Sequence, residues 1–184
     1  IGFVANSGRK GFYRVKYDKG TLLDLKMLVD QKEITAIDRW AIQNDLFSLC
    51  LSGDETVRNY LDFSDAFYDE DSYLASVNVA HNLSSLYFRA FDEEFSPEIR
   101  SYAVNFLKKI LYDLGWDTKK TDKHTDALMR GFAIFTLGKL NDDEVTIESE
   151  KRYKQFLKNP IALSPGLVEP ICSVMAWNGT SKAH

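Results

Sequence analysis

Gly11-Phe12-Tyr13-Arg14-Val15-Lys16-Tyr17-Asp18 alternates in the manner of a β-strand. In an extended chain Phe12, Arg14 and Lys16 face one way and Tyr13, Val15 and Tyr17 the other, and Tyr, Phe and Val are strand formers. Asp18-Lys19-Gly20 breaks the pattern. From Thr21 the spacing becomes helical, with Leu22, Leu25, Leu28 and Val29 separated by Asp24, Lys26 and Asp30. The chain therefore poses a question at once: why a helical protein should open on a strand.

The remainder divides into helices by its punctuation. Thr35 followed by Asp38 is a capping arrangement with a carboxylate in the first turn. The helix behind it carries Ile37, Trp40, Ala41, Phe47 and Cys50 and ends at Gly53. Asp54 is expected to cap a short helix holding Val57, Tyr60 and Leu61. Asp71 or Ser72 starts a longer one with the stripe Tyr73, Val77, Ala80, Ser84, Tyr87 and Phe91. Ser96-Pro97 reads as a cap followed by proline at the first helical position. Its buried face is Ile99, Ala103, Phe106, Leu107, Ile110 and Leu114, and Gly115 is the stop. Residues 127–138 are apolar nearly all round, as in a helix buried between neighbours. Gly131 and Gly138 lower helix propensity there, so close packing of another helix is expected. An amphipathic helix from Asp142 to Lys158 follows. Ser164-Pro165 reads as a turn, and Glu169-Pro170 as the start of a last helix ending at Gly179. Helices joined by short loops pack as antiparallel αα-hairpins, and a row of hairpins makes a bundle or a solenoid. With no clean repeat period, the expectation is a mainly α fold: antiparallel αα-hairpins in an irregular, α-solenoid-like superhelix behind a short N-terminal β-strand segment.

At 184 residues the chain can build one sizeable core with at most a small appendage. A formal charge of −4 gives no electrostatic support to a nucleic-acid or anionic-membrane partner. No apolar run is long enough to span a bilayer, and no signal-peptide pattern is present. Asn141-Asp142-Asp143-Glu144 suits the positive end of a helix dipole. Cys50 and Cys172 have apolar flanks and no C-x-x-C spacing, so they read as small buried hydrophobes in a reducing compartment. A cytoplasmic location follows from that reading, with a disulfide between them the alternative. The two glycosylation sequons, Asn82-Leu83-Ser84 and Asn178-Gly179-Thr180, read as chance matches.

Chemistry is sparse. His81 reads as a core histidine, His124 lies in the polar loop 119–124, and His184 is the last residue. No two histidines share a helix at i, i+4, and His-Glu-x-x-His is absent. No phosphate loop or G-x-S-x-G elbow occurs. Asp92-Glu93-Glu94 reads as a solvated corner. No catalytic, cofactor-binding or metal-ligating residue is assigned. Tyr87, Arg89 and Arg130 suit a cavity that handles peptide carboxylates. Core packing of Tyr87 and ion pairing of the two arginines is the preferred reading of all three.

Three stretches together resemble one family. The first is Gly11 to Asp18, similar to G-[YF]-Y-R-V-x-Y-[DE]. The second is Asp38-Arg39-Trp40-Ala41-Ile42-Gln43-Asn44-Asp45-Leu46-Phe47-Ser48-Leu49, similar to D-R-x-x-[LI]-x-[ND]-D-x-F-x-L. The third pairs Leu111-Tyr112-Asp113-Leu114-Gly115-Trp116 with Leu128-Met129-Arg130. Their order and spacing resemble the zinc aminopeptidases related to aminopeptidase N, the endoplasmic-reticulum aminopeptidases and the archaeal tricorn-interacting factors.

The resemblance implies that residues 1–18 are a strand tail from a preceding β-sandwich domain and that 19–184 are the first part of a helical C-terminal domain. The family's metalloprotease motif, H-E-x-x-H with a downstream Glu, and its G-x-M-E-N stretch are not in this chain. Zinc is then expected in a catalytic domain upstream and no cofactor within these residues. The whole protein would be a hydrolase acting in proteolysis, removing N-terminal residues from bound peptides. This segment would supply cavity wall and lid to the catalytic domain of the same chain. A free-standing helical-repeat scaffold for protein interaction is the alternative.

Overall fold

The computed structural model describes residues 3–179. Eight α-helices account for most of them: α1 (Lys19–Asp30), α2 (Ala36–Ser52), α3 (Val57–Ser64), α4 (Tyr73–Arg89), α5 (Ser96–Leu114), α6 (His124–Lys139), α7 (Asp143–Lys158) and α8 (Pro165–Trp177). Single 3-10 turns occur at Ser7–Arg9, Asp65–Phe67 and Pro160–Ala162. The mainly α expectation holds. The chain forms two compact units, Ile1–Glu93 and Glu94–His184.

No strand forms among the described residues, including Gly11 to Asp18. A strand needs a neighbour's N–H and C=O groups, and no described residue supplies that ladder. The stretch lies against α2 instead, where the Val15 N–H donates to Asp45 Oδ2 at 3.1 Å. Asp18 does not break structure as expected; it caps α1. Its carboxylate accepts from the Gly20 N–H (2.9 Å) and the Thr21 N–H (3.1 Å), so the helix begins ahead of Thr21.

In the first unit Thr35 caps α2 by accepting from the Asp38 N–H at 3.2 Å. Gly53 ends the helix with φ 79°, a left-handed conformation that glycine adopts without a Cβ clash. Ile37, expected on the packed face, is exposed. The cap of α3 is Thr56, which accepts from the Asn59 N–H at 3.1 Å; Asp54, the expected cap, accepts from Ser52 Oγ. Phe47 of α2 packs on Tyr60 of α3, ring centroids 5.6 Å apart. A buried polar cluster joins these helices to α4. Tyr60 Oη and Asn82 Nδ2 both donate to Gln43 Oε1 at 3.0 Å, and Gln43 Nε2 donates to Asn78 Oδ1 at 2.5 Å. Both lone pairs of that buried oxygen are satisfied, which removes the penalty for an unpaired acceptor. Burial raises the Tyr60 hydroxyl pKa and keeps it a neutral donor. Asn82 is buried with its amide engaged, so the first sequon is inaccessible.

The buried face of α4 keeps Ala80, Ser84 and Tyr87 of the expected stripe, with Tyr73 and Val77 half-buried, and is broader than expected. It comprises Ala75, Ser76, Val79, Ala80, Asn82, Leu83, Ser84, Leu86 and Tyr87. His81 lies on the other side and is exposed, correcting its reading as a core histidine. Phe91 falls beyond the helix end and is also exposed.

In the second unit α5 begins at Ser96 itself, with Phe95 in the cap position. Arg100, early in α5, donates to the Leu140 and Asn141 carbonyls at the end of α6 (2.7 and 2.8 Å). Arg130 of α6 reaches back to the carbonyls that end α5, so the two helices are antiparallel. Lys108 of α5 pairs with Asp142 and Glu144 at the start of α7, and Asp117, just past α5, pairs with Arg152 further along it. α7 therefore runs parallel to α5. Gly131 lies by Pro170 and Gly138 by Val174, so α8 runs parallel to α6. Successive helices alternate in direction, as antiparallel αα-hairpins require.

α8 starts at Ser164-Pro165, where a turn was expected, and passes through Pro170, which was expected to begin it. Pro165 occupies the first turn, where its missing N–H costs nothing. Pro170 forfeits a bond to the Gly166 carbonyl. It is buried in return, against the bare face of Gly131.

The expectation for Gly131 and Gly138 holds in unequal degree. A Cβ on Gly138 would stand 2.5 Å from Val174 Cγ2, whereas one on Gly131 would stand 3.5 Å from Pro170 Cγ. Replacing glycine by alanine inside a helix gains about 1 kcal/mol of propensity. Overpacking costs about 1–3 kcal/mol. Gly131→Ala should therefore raise stability in urea titrations by up to about 1 kcal/mol. Gly138→Ala should lower it, and pairing it with Val174→Ala should cost less than the sum of the single changes. A Gly138→Ala variant as stable as Gly131→Ala would show that the contact is loose.

Candidate functional site

The two motif stretches of the first unit meet in space. Asp38 and Asp45 are seven residues apart, two turns of α2, and so project from one face of it. Both carboxylates are buried, and both are used by the N-terminal segment. Asp38 Oδ1 accepts from the Gly8 N–H at 2.7 Å. Its Oδ2 accepts from Ser7 Oγ at 3.0 Å and Thr35 Oγ1 at 2.7 Å. Burial pushes the Asp38 carboxyl pKa up, but the bonds from Gly8, Thr35 and Ser7 outweigh it and hold the group below the usual aspartate range.

The segment reaches Asp38 by a left-handed winding: φ is 59° at Asn6, 69° at Gly8 and 56° at Arg9. Such a residue with a Cβ costs roughly 1–3 kcal/mol and persists only where its surroundings hold it. Asn6 is held by its own side chain, which accepts from the Gly11 N–H (2.8 Å) and donates to the Gly11 and Tyr13 carbonyls (2.9 and 3.1 Å). Arg9 is held by Asp45 in a two-pronged pair of 2.7 and 3.1 Å, the geometry that suits a guanidinium and a carboxylate. Its guanidinium also lies over the Trp40 ring at 5.4 Å. Arg14 donates to Ser48 on the same helix. Tyr17 Oη accepts from the Ala5 N–H at 3.1 Å, and burial raises its pKa.

Arg39, the next motif residue, points to the other side of α2. It donates to Glu70 (2.7 and 2.6 Å), Asp71 (2.9 Å) and the Ile34 carbonyl (2.8 Å). It thereby fixes the turns before α2 and α4.

Two arginines play the matching part in the second unit. Arg130 is buried; it donates to the Gly115 carbonyl at 2.8 Å, the Leu114 carbonyl at 3.3 Å and Asp122 at 2.7 Å. Arg152 holds Asp117 at 2.6 and 3.3 Å and Glu148 at 2.8 Å, and lies 5.1 Å over Trp116. The guanidinium of Arg152 lowers the Asp117 pKa. Together they pin both ends of the loop between α5 and α6.

The candidate peptide contacts fall mostly on the structural side. Tyr87 is buried among Phe88 and Phe91, ring centroids 5.2 and 6.0 Å away. Arg130 is committed to the loop. Arg89 is exposed and donates to Ser85 Oγ rather than to an acid. His124, expected in a loop, is the exposed first residue of α6; His184 lies outside the described residues. Asp92, Glu93 and Glu94 are exposed. Cys50 and Cys172 are half-buried and unlinked, and burial, with the Glu55 charge, pushes the Cys50 thiol up to about 12, far from a reactive thiolate. Among the described residues no three His, Cys, Asp or Glu side chains gather as a metal-holding group. The partners Arg9 and Glu70 carry no signal in the sequence, whereas Trp116 closes the third motif stretch. Asp38 and Asp45 do, being two turns apart on one helix and within one motif.

This helical architecture, with its motif acids and arginines turned to holding segments together, fits the domain that the comparisons identify. The chain belongs to the ERAP1-like C-terminal domain family, whose model matches residues 3–184. Among curated proteins it is 28% identical over 170 residues to aminopeptidase M1 of Arabidopsis thaliana, covering 88% of this chain and 19% of the relative. It is 27% identical over 158 residues to aminopeptidase M1-A of Oryza sativa subsp. japonica, covering 84% and 18%. It is 27% identical over 155 residues to tricorn protease-interacting factor F2 of Thermoplasma acidophilum, covering 84% and 19%. The chain thus spans about a fifth of the length of the curated relatives it matches.

The clasp on α2 should be visible in stability and proteolysis. Removing one partner of a buried ion pair costs about 3 kcal/mol or more. Asp45→Ala should therefore destabilise the first unit by about that much and speed trypsin cleavage after Lys10, Arg14 and Lys16. Unchanged cleavage would show that the segment does not depend on the pair. The pH dependence follows from Asp38. Its folded pKa is depressed, so its contribution is complete above the unfolded value of about 3.9 and is lost as pH falls through the folded value. Acid unfolding curves should show that loss below about pH 4, and Asp38→Asn should flatten it.

Proposed function

We propose that this chain is the opening part of the helical C-terminal domain of a zinc-dependent aminopeptidase that removes N-terminal residues from peptides, and that it contributes cavity wall and lid. The observation that carries this is the use made of the family motifs. Asp38, Arg39, Asp45 and Arg130 are all spent on fixing the N-terminal segment and the connecting turns. The names of the relatives, aminopeptidase M1 and tricorn protease-interacting factor F2, support the aminopeptidase reading. In this reading residues 1–18 join the helices to a preceding β-sandwich domain, and residues 19–184 open the helical domain.

The described residues do not offer a donor set for zinc. We place the zinc in a catalytic domain elsewhere in the same protein, with the peptide as shared ligand. No helix among the described residues is long and apolar enough to cross a membrane. A cytoplasmic site of action remains part of the proposal. Ile147, Leu157, Ile161 and Trp177 are exposed around the last helices, which favours cover by more of the same protein over a free-standing scaffold with polar ends.

The test compares the full-length protein with the 184-residue chain on aminoacyl-arylamide substrates. The full-length protein should hydrolyse them, lose activity to a chelator and regain it with zinc, while the chain alone is inert. Hydrolysis by the chain alone would overturn the wall-and-lid role, and an inert full-length protein would overturn the aminopeptidase reading.

A further inference from the structure

A groove of ≈ 360 Å³ runs between the parallel helices α6 and α8 of the second unit. Gly166 is one of its lining residues, and a Cβ there would meet no atom within 4 Å, so no side chain covers the α8 backbone at that point. Phe132 and Phe135 of α6 form one wall, both half-buried, with Leu128 at one end. Glu169 of α8 stands on the opposite lip, exposed, and its carboxylate has no ion-pair or hydrogen-bond partner among the described residues.

Aromatic faces beside an unpaired carboxylate are complementary to a cation on an apolar stem. The ring quadrupole attracts the charge, the acid neutralises it, and the apolar surface takes the methylenes. The molecule already contains one such contact on this wall. Lys139 Nζ lies 5.4 Å from the centre of the Phe135 ring and 4.8 Å from that of Trp177. Among the described residues Glu169 has no such cation.

We propose that the α6–α8 groove binds the side chain of a lysine or arginine presented by a peptide, with Glu169 pairing the charge and Phe132 and Phe135 flanking the stem. The site is one of recognition, and Glu169 takes part in no bond making. The inference stands on the groove alone and does not require the aminopeptidase reading.

The test is binding, measured by fluorescence polarisation on the full-length protein with N-acetylated peptides, whose blocked amine removes hydrolysis from the readout. One labelled nonapeptide carries a central lysine, a second carries norleucine there and a third carries glutamate. The lysine peptide should bind on the order of tenfold tighter than the norleucine peptide, the discrimination expected of a partly desolvated ion pair with a cation–π contact. Glu169→Gln should erase that difference while leaving the norleucine peptide unaffected. Gly166→Leu should weaken both peptides by filling the groove, and circular dichroism should show both variants folded. Equal binding of the lysine and norleucine peptides, tighter binding of the glutamate peptide, or a lysine preference that survives Glu169→Gln would each overturn the proposal. A full-length protein that is inert on arylamides yet keeps the lysine preference would overturn the aminopeptidase reading and leave this one standing.

Discussion

The burial of two aspartates on one face of α2 is the constraint from which the first unit follows. An ionised carboxylate taken out of water is strongly unfavourable unless donors surround it. Asp38 and Asp45 find their donors in residues about thirty positions earlier, in a segment with no regular structure of its own. The segment needs the helix as much as the helix needs the segment. Left-handed Asn6 and Arg9 would not persist in a free tail, and Arg9 gives up its freedom only because Asp45 and Trp40 hold both its charge and its plane. What the sequence pattern presents as a strand is therefore an extended strap with side-chain carboxylates where a sheet would offer carbonyls.

The second unit solves the same problem with the charges exchanged. Here the buried group is a guanidinium, Arg130, and its donors are met by carbonyls at the end of α5 and by Asp122. Arginine suits this because its planar fork can satisfy several acceptors at once and keeps its charge at every physiological pH. Arg152 adds a second hold on the same loop through Asp117 and Trp116. Each unit thus fixes an irregular connection to a helix by charge-assisted bonds. Hydrophobic contacts, such as Phe47 on Tyr60, set how its helices pack.

The fold was legible where the signal is local. Thr35, Asp142 and the glycine stops mark helix ends because capping is decided within four residues. Gly131 and Gly138 announced a close neighbour because nothing else excuses glycine in an apolar helix. Legibility failed where a distant partner decides the outcome. Gly11 to Asp18 has strand composition, and only the absence of a pairing strand among the described residues makes it a strap. Pro170 looked like a helix start because its tolerance inside α8 depends on Gly131, thirty-nine residues away in sequence. His81 reads as a core residue because the buried face of α4 is broad and part polar, and Asn82 beside it is buried with its amide bonded to Gln43 of α2. The candidate site was half legible in the same sense. Asp38, Asp45 and Trp40 lie in a motif, and Arg9, which pairs with Asp45 over the Trp40 ring, does not.

A division of labour among the polar residues follows. The motif residues Asp38, Arg39, Asp45 and Arg130 are turned inward and hydrogen-bonded, so they hold helices and connections in fixed register. In the proposed recognition role the side chain used is one that packing leaves without a partner among the described residues, Glu169, beside the glycine-lined groove of the second unit. The close approach at Gly138 seats α8 along α6, and at Gly166 no side chain covers the α8 backbone. One helix pair therefore carries both a close contact, at Gly138, and an open groove, because glycine permits either result according to whether a neighbouring side chain fills the space it leaves.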